Sequence, residues 1–220
     1  MPHAIFFEPP IETNYLGHQL KEMYVDNVYA PFLQGKKDLT IIDLGANLGM
    51  FTYYASRFAK KLYAIEPTVE HFDMLTRMIE FNKLTNVEPI NKAVYIKSGQ
   101  YPLFKPEQNK TMNSLHQNVV QGNPNPQHEM VECITLPQLF ADFAIDHVDF
   151  MKTDIEGTEV ELFSSTSFKE VAPKIDVIVT ELHAWNDRNP NQLLEAFKNN
   201  NFSVQRIPND ASLFVATRNQ

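Results

Sequence analysis

Cysteine is nearly absent from this 220-residue chain. The one present, Cys133, cannot build an internal disulfide framework, which points to a reducing compartment, most simply the cytoplasm. Positive charge is scarce as well: 19 Lys and Arg face 27 Asp and Glu, a formal net charge of −8 with His neutral. Gripping a phosphate backbone takes clustered Lys and Arg, so nucleic acid is a poor partner. No stretch approaches the ~20 apolar residues of a membrane span. Residues 1–10 lack the positive n-region and the apolar run of a signal peptide. Internal repeats and blocks of like charge are missing, and the seven histidines show no zinc spacing.

What is present is an alternation. After Asn14, Leu16, Leu20, Met23, Tyr24 and Val28 recur at helical spacing until Pro31, predicting an amphipathic helix within an N-terminal extension over 1–37. Strands are predicted at Leu39 to Leu44, Lys61 to Ile65, Asn86 to Ile96, Val148 to Lys152 and Lys174 to Leu182. Helical faces fall between them: Leu48, Phe51, Ala55 and Phe58; Phe72, Leu75 and Ile79; Val160, Leu162 and Phe163. A last helix runs through Leu193, Leu194 and Phe197, with Asn189 as cap and Pro190 in its first turn. Phe202 to Ile207 and Ala211 to Thr217 read as a hairpin turning at Pro208-Asn-Asp210. Such alternation implies one α/β domain over 1–220: a mostly parallel sheet, helices on both faces and a terminal antiparallel hairpin. One insertion, 101–130, rich in Asn, Gln and Pro, reads as a lid or substrate loop.

The turn after the first strand is Asp43-Leu-Gly-Ala-Asn-Leu-Gly49. Open α/β sheets bind nucleotides there, yet the G-x-G-x-x-G dinucleotide fingerprint fails, since Asn47 and Met50 stand where its second and third glycines belong. No Gly-Lys-Ser/Thr follows, so a P-loop fails too. The spacing Asp-x-Gly-x-x-x-Gly suits a nucleoside without a pyrophosphate. Glu66 closes the second strand 21 residues past Gly45, where an acidic residue can accept from both hydroxyls of a ribose.

The stretch Ile42 to Thr52, with Ala64-Ile-Glu-Pro67, resembles the S-adenosylmethionine-dependent methyltransferases of the Rossmann-like class. Val148-Asp-Phe-Met-Lys-Thr-Asp-Ile-Glu-Gly-Thr-Glu159 narrows the resemblance to the FkbM family, across about Asp38 to His183. The family implies a seven-stranded class I methyltransferase sheet and methyl transfer, mostly to hydroxyls of sugars or small natural products. By that resemblance Asp43, Gly45, Ala46, Asn47 and Gly49 line the methionine end of S-adenosylmethionine. Glu66, beside Pro67, takes the ribose, and the Asn91-Lys-Ala-Val94 stretch, with Lys92 and Ala93, flanks adenine.

A positioned base speeds methyl transfer to an alcohol, and the candidates stand at the strand ends beside that turn. Asp154 could hold the cofactor's ammonium or orient the acceptor hydroxyl. Glu156 belongs to the family motif but would also be favoured at a helix start, as would Glu159. His183 has the ordinary pKa of a base near neutrality. Lys152 is expected in a buried ion pair with one of these carboxylates or facing the helix layer. Asp154, Glu181 and His183 could also hold a divalent metal, though no spacing demands it. Asp154-Ile-Glu-Gly157 replaces the Asn/Asp-Pro-Pro-aromatic stretch of enzymes that methylate base or amide nitrogen. Cys133 is expected to pack on an edge strand. The expected function is therefore O-methylation of a small hydroxylated acceptor. The rival readings are a catalytically silent cofactor-binding or assembly module and, more distantly, an NAD-dependent oxidoreductase.

Overall fold

Strand β1 (Leu39–Leu44) is the third of the seven strands of the main sheet, paired on both sides. Leu39 and Ile41 enter one apolar layer while Ile42 and Leu44 enter the other, as the two-residue period of a strand covered on both faces requires. The computed structural model describes residues 17, 21–106, 112–120, 126–183, 190–207 and 210–219. Leu16, Leu20, the Asn189 cap and Pro208 of the hairpin turn lie outside them.

On one side of β1 run β2 (Ala59–Ile65) and β3 (Val87–Ile90), both parallel to it. The expected long third strand is broken, because Asn91 turns its Nδ2 back onto the carbonyl oxygens of Glu66 and Pro67. The chain then leaves as β4 (Ala93–Val94) for a separate sheet, where β6 (His128–Ile134) lies between β4 and β5 (Gly99–Phe104). The predicted insertion thus begins and ends in strand, not loop. Cys133 stands on the middle strand of this small sheet rather than on an edge, buried among Ala93, Leu103 and Val131. Burial pushes its thiol up to about 11, with Glu132 adding to the rise.

Beyond β1 the main sheet continues through β7 (Val148–Thr153) and β8 (Ile175–Glu181), both parallel. Its order closes as β3-β2-β1-β7-β8-β10-β9, with β9 (Phe202–Arg206) on the edge and β10 (Leu213–Arg218) antiparallel to both neighbours.

Helices cover both faces. On the Ile41 side lie α1 (Ala30–Leu33), α2 (Met50–Ser56) and α3 (Val69–Phe81), which deliver Leu33, Phe51 and Leu75. The expected stop at Pro31 is instead a first-turn proline inside α1, where its missing N–H costs nothing. Before α1, Lys21–Val25 forms one π-helical turn that buries Met23 and leaves Tyr24 exposed, contrary to the periodicity. The Ile42 side carries α4 (Leu136–Asp142), α5 (Glu159–Ser164), α6 (Thr166–Val171) and α7 (Pro190–Asn199). Phe163, Phe168 and Phe197 meet there with ring centroids 4.5 to 6.1 Å apart. Each such aromatic pair adds about 0.5–1.5 kcal/mol beyond the area it buries. Among the described residues no helix is long and apolar enough to cross a membrane.

Candidate active site

The strand order reverses at β1, and the loops leaving β1, β2, β7 and β8 enclose a cavity of about 350 Å³ at that switch point. Two of these loops touch through Gly45. Its φ is +78°, and a Cβ there would overlap the backbone carbonyl oxygen of Asp154. Gly45→Ala forces the loops apart, at a cost of about 1–3 kcal/mol. We expect a melting temperature lower by about 5–10 °C and weakened ligand binding, and a scan unchanged within 1 °C would refute the close approach.

On the β2 side, Glu66 is buried, with each carboxylate oxygen accepting one backbone N–H: Asn47 N at 2.8 Å and Thr68 N at 2.8 Å. His71, on α3, brings Nδ1 to 3.7 Å from Glu66 Oε1. Each oxygen keeps a lone pair for a second donor. Asn47, Glu66, Pro67, Lys92 and Ala93 all line the cavity.

The wall does not include every predicted residue. Ala46 and Gly49 lie off it, and the Gly49 position is dictated by packing, since a Cβ there would collide with Leu75 and Met78 of α3. Asp43 also sits behind the wall, fully buried, accepting from Thr52 Oγ1 at 2.6 Å. Burial raises its carboxyl to about 6, against the opposing pull of Lys152 and the Thr52 hydrogen bond. Lys152 Nζ lies 3.1 Å from Asp154 Oδ2 and 3.9 Å from Asp43 Oδ1, so it ties the carboxylates of β1 and β7 together in the expected buried ion pair.

The remaining groups form a single cluster. Glu159, wholly buried at the start of α5, accepts at Oε1 from Gly157 N at 3.0 Å and from His183 Nδ1 at 3.0 Å. That contact turns His183 Nε2 toward Glu156 Oε2 at 3.3 Å, Asp154 Oδ1 at 3.7 Å and Glu181 Oε1 at 3.8 Å. Glu156 holds a left-handed backbone, φ +50°, a conformation that costs a non-glycine residue about 1–2 kcal/mol. Asp154, Glu156 and His183 offer ligand atoms within 4.8 Å of one another and could hold a metal ion.

This setting overturns one expectation. Burial alone would lower the His183 pKa, but the Glu159 hydrogen bond and the charges of Glu156, Glu159 and Asp154 carry it up to about 10, so the free imidazole is protonated at neutral pH. Burial lifts Glu156 to about 8, against the pull of His183. Asp154 goes the other way, because the Lys152 and His183 cations outweigh its burial and keep it below the ordinary range.

A group whose pKa is raised on folding stabilises the fold fully below its unfolded pKa and ceases to do so as pH passes its folded pKa. Glu156 and His183 both rise, so chelator-treated protein should lose stability from about pH 5 to about pH 10. His183→Gln should flatten the limb above pH 8 in a melting series. A stability curve rising across that range would contradict the cluster's charge balance.

The family model of the methyltransferase FkbM domain matches residues 43–204, which contain this whole cluster. The chain belongs to the FkbM methyltransferase family. Methyltransferase 1 of Beauveria bassiana (strain ARSEF 2860) is 27% identical over 181 residues, 74% of this chain and 71% of its own length. A methyltransferase FkbM structure from Methylobacillus flagellatus KT aligns with TM-score 0.52 at 12% identity, covering 86% of this chain and 45% of that one. Magnesium protoporphyrin IX methyltransferase from Synechocystis PCC 6803, solved with bound SAM, gives 0.54 at 11%, covering 98% and 88%. Both structural likenesses establish the Rossmann-like class I methyltransferase fold. FkbM membership removes the oxidoreductase alternative.

In this FkbM chain, several cavity residues carry no mark in the sequence. Thr68 and His71 follow Glu66 by two and five positions without a motif to mark them, and Leu103, Met112, Asn113 and Leu115 come from the predicted insertion. Glu159 was within reach, since its place in the FkbM motif pointed to it; the structure makes it the partner of His183 rather than only a helix-start charge.

Proposed function

We propose that this chain transfers the methyl group of S-adenosylmethionine to a hydroxyl oxygen of a small acceptor, such as a saccharide or natural product. One observation carries the reading: a single cavity joins Glu66, suited to a ribose diol, to the Asp154–Glu156–His183 cluster, suited to an acceptor hydroxyl. The sulfonium methyl is already activated, so the protein's task is to hold the oxygen in line at ~3–3.5 Å. In this reading Gly45 and Asn47 flank the methionine end, Asp43 supports their turn from behind, and Lys92 and Ala93 flank adenine. Asp154, ionised at neutral pH, accepts the acceptor's O–H hydrogen bond. The proton then passes to a carboxylate of the cluster.

We take 1–220 as one methyltransferase domain, with 1–37 as its N-terminal extension and 101–130 as the acceptor-facing insertion. Leu103, Met112, Asn113 and Leu115 on the cavity wall support that role. The lone Cys133 favours a cytoplasmic setting. The test is incubation with methyl-labelled S-adenosylmethionine over sugars, glycolipids and polyketides, followed by mass analysis. An O-methyl product is expected. A protein that binds the cofactor tightly and methylates none of these would instead be a silent module of the same fold.

A further inference from the structure

We propose that Asp154, Glu156 and His183 form a divalent-cation site whose ion binds the acceptor hydroxyl, an inference that rests on the methyl-transfer reading. Three ligand atoms, two carboxylate oxygens and one imidazole nitrogen, lie within 4.8 Å of one another. They come from two loops, after β7 and after β8, so the strand ends and not local sequence bring them together. His183 is oriented from behind: Glu159 Oε1 takes Nδ1–H at 3.0 Å, leaving Nε2 toward Asp154 and Glu156. A carboxylate holding the far nitrogen of a metal-binding histidine is the usual outer shell of such sites.

A second observation points to a ligand. Glu156 Oε2 is buried, and although His183 Nε2 stands 3.3 Å away, it has no hydrogen-bond donor in line among the described residues. Glu159 is wholly buried, and its Oε2 is without a donor as well. Buried carboxylate oxygens left without donors are costly unless a cation completes them. With Glu181 Oε1 at 3.8 Å from Nε2, four carboxylates surround one imidazole. Lys152 answers the Asp154 charge, and an ion of charge +2 would answer the others.

Asp154, Glu156, Glu181 and His183 all reach the cavity wall, so open coordination positions face the space assigned to the acceptor. Two oxygens and an imidazole suit Mn²⁺ or Zn²⁺ better than a purely oxygen-seeking ion. There the ion acts as a Lewis acid, lowering the pKa of the bound hydroxyl. The O–H proton leaves to Glu181, the O–CH₃ bond forms, and the S–CH₃ bond breaks with its electron pair kept on sulfur.

The other grouping of this kind offers an internal control. His147, Asp149 and Asp176 also cluster, but Asp176 Oδ1 is bound by Arg218 at 2.6 Å and Asp149 Oδ2 accepts Thr40 N at 2.7 Å. Arg218 answers the Asp176 charge directly, and none of the three residues lines the cavity.

The experiment titrates the chelator-treated 220-residue chain with Mn²⁺, followed by electron paramagnetic resonance and, in parallel, with Zn²⁺ by calorimetry, with no acceptor present. One ion per chain is expected at micromolar affinity, weakened at least 30-fold in Glu156→Gln and His183→Gln and unchanged in His147→Ala. Circular dichroism melts of each variant separate lost binding from lost folding. Absence of stoichiometric binding below 1 mM for both ions overturns the site, as does binding that His147→Ala removes. Because the readout needs no turnover, failure of the methylation screen would leave this result standing on its own.

Discussion

His183→Asn should lower turnover by about 10²–10³-fold, the usual loss when one preorganised electrostatic group is removed, while S-adenosylhomocysteine affinity stays within a factor of about 3. The expectation follows from geometry. His183 is the only imidazole among the described residues that stands within 4 Å of Asp154, Glu156, Glu159 and Glu181 together, on the side of the cavity proposed for the acceptor. Removing it takes away the cation that balances them and leaves the buried carboxylates to repel one another. Glu159→Gln supplies the graded comparison, because it keeps an oxygen for Nδ1–H but removes the charge, and outer-shell changes of this kind cost about 10–100-fold. Glu159 acts through His183, so its variant should also shift the pH profile of turnover, which a purely structural residue would not do. A His183→Asn enzyme keeping more than a third of wild-type turnover would remove His183 from the chemistry.

The second large effect is on binding. Glu66→Ala should weaken S-adenosylhomocysteine by at least about 100-fold in calorimetry, since hydrogen bonds to a charged group contribute about 1.5–3 kcal/mol each and two are assigned to the ribose. Part of that loss is indirect: Glu66 also holds the N–H groups of Asn47 and Thr68, so its removal frees the β1 turn at the same moment. Glu66→Gln separates the two, because its amide nitrogen would face one of those N–H groups and disturb the turn while sparing one acceptor. We expect an intermediate loss of about 10–30-fold. Equal affinity of Glu66→Ala and wild type would move the ribose elsewhere in the cavity.

Much of the main sheet was legible because its strands are buried on both faces and therefore read as short apolar runs, as at Leu39 to Leu44 and Lys174 to Leu182. The carboxylates at its strand ends were legible for a related reason: Asp154 and Glu66 interrupt apolar runs where a switch point needs polar groups. What stayed hidden depended on distance in space. Nothing in the sequence sets Asn91 to turn onto Glu66 and Pro67 and split the expected third strand. The pattern of Tyr24 gave no sign that a π turn would carry it outward. Helix α4 carries its signal in its first turn, Thr135 as cap with Pro137 after it, and not in a long apolar period. The pKa of His183 is not legible because three carboxylates from the stretch 154–159 join Glu181 around it, and that convergence exists only after folding.

The Ser114 hydroxyl donates to the backbone carbonyl of Glu156 at 2.5 Å, and Ser114 itself is pinned to Phe104 by two backbone hydrogen bonds. The inserted segment that lines the cavity is therefore tied to the loop that carries Asp154 and Glu156. In the proposed reaction, acceptor choice and reactivity are then not independent traits. An exchange of residues 101–130 between relatives, made to redirect which molecule is methylated, would also reset the pose of Glu156, and its success would be decided by whether the donor segment restores one hydroxyl.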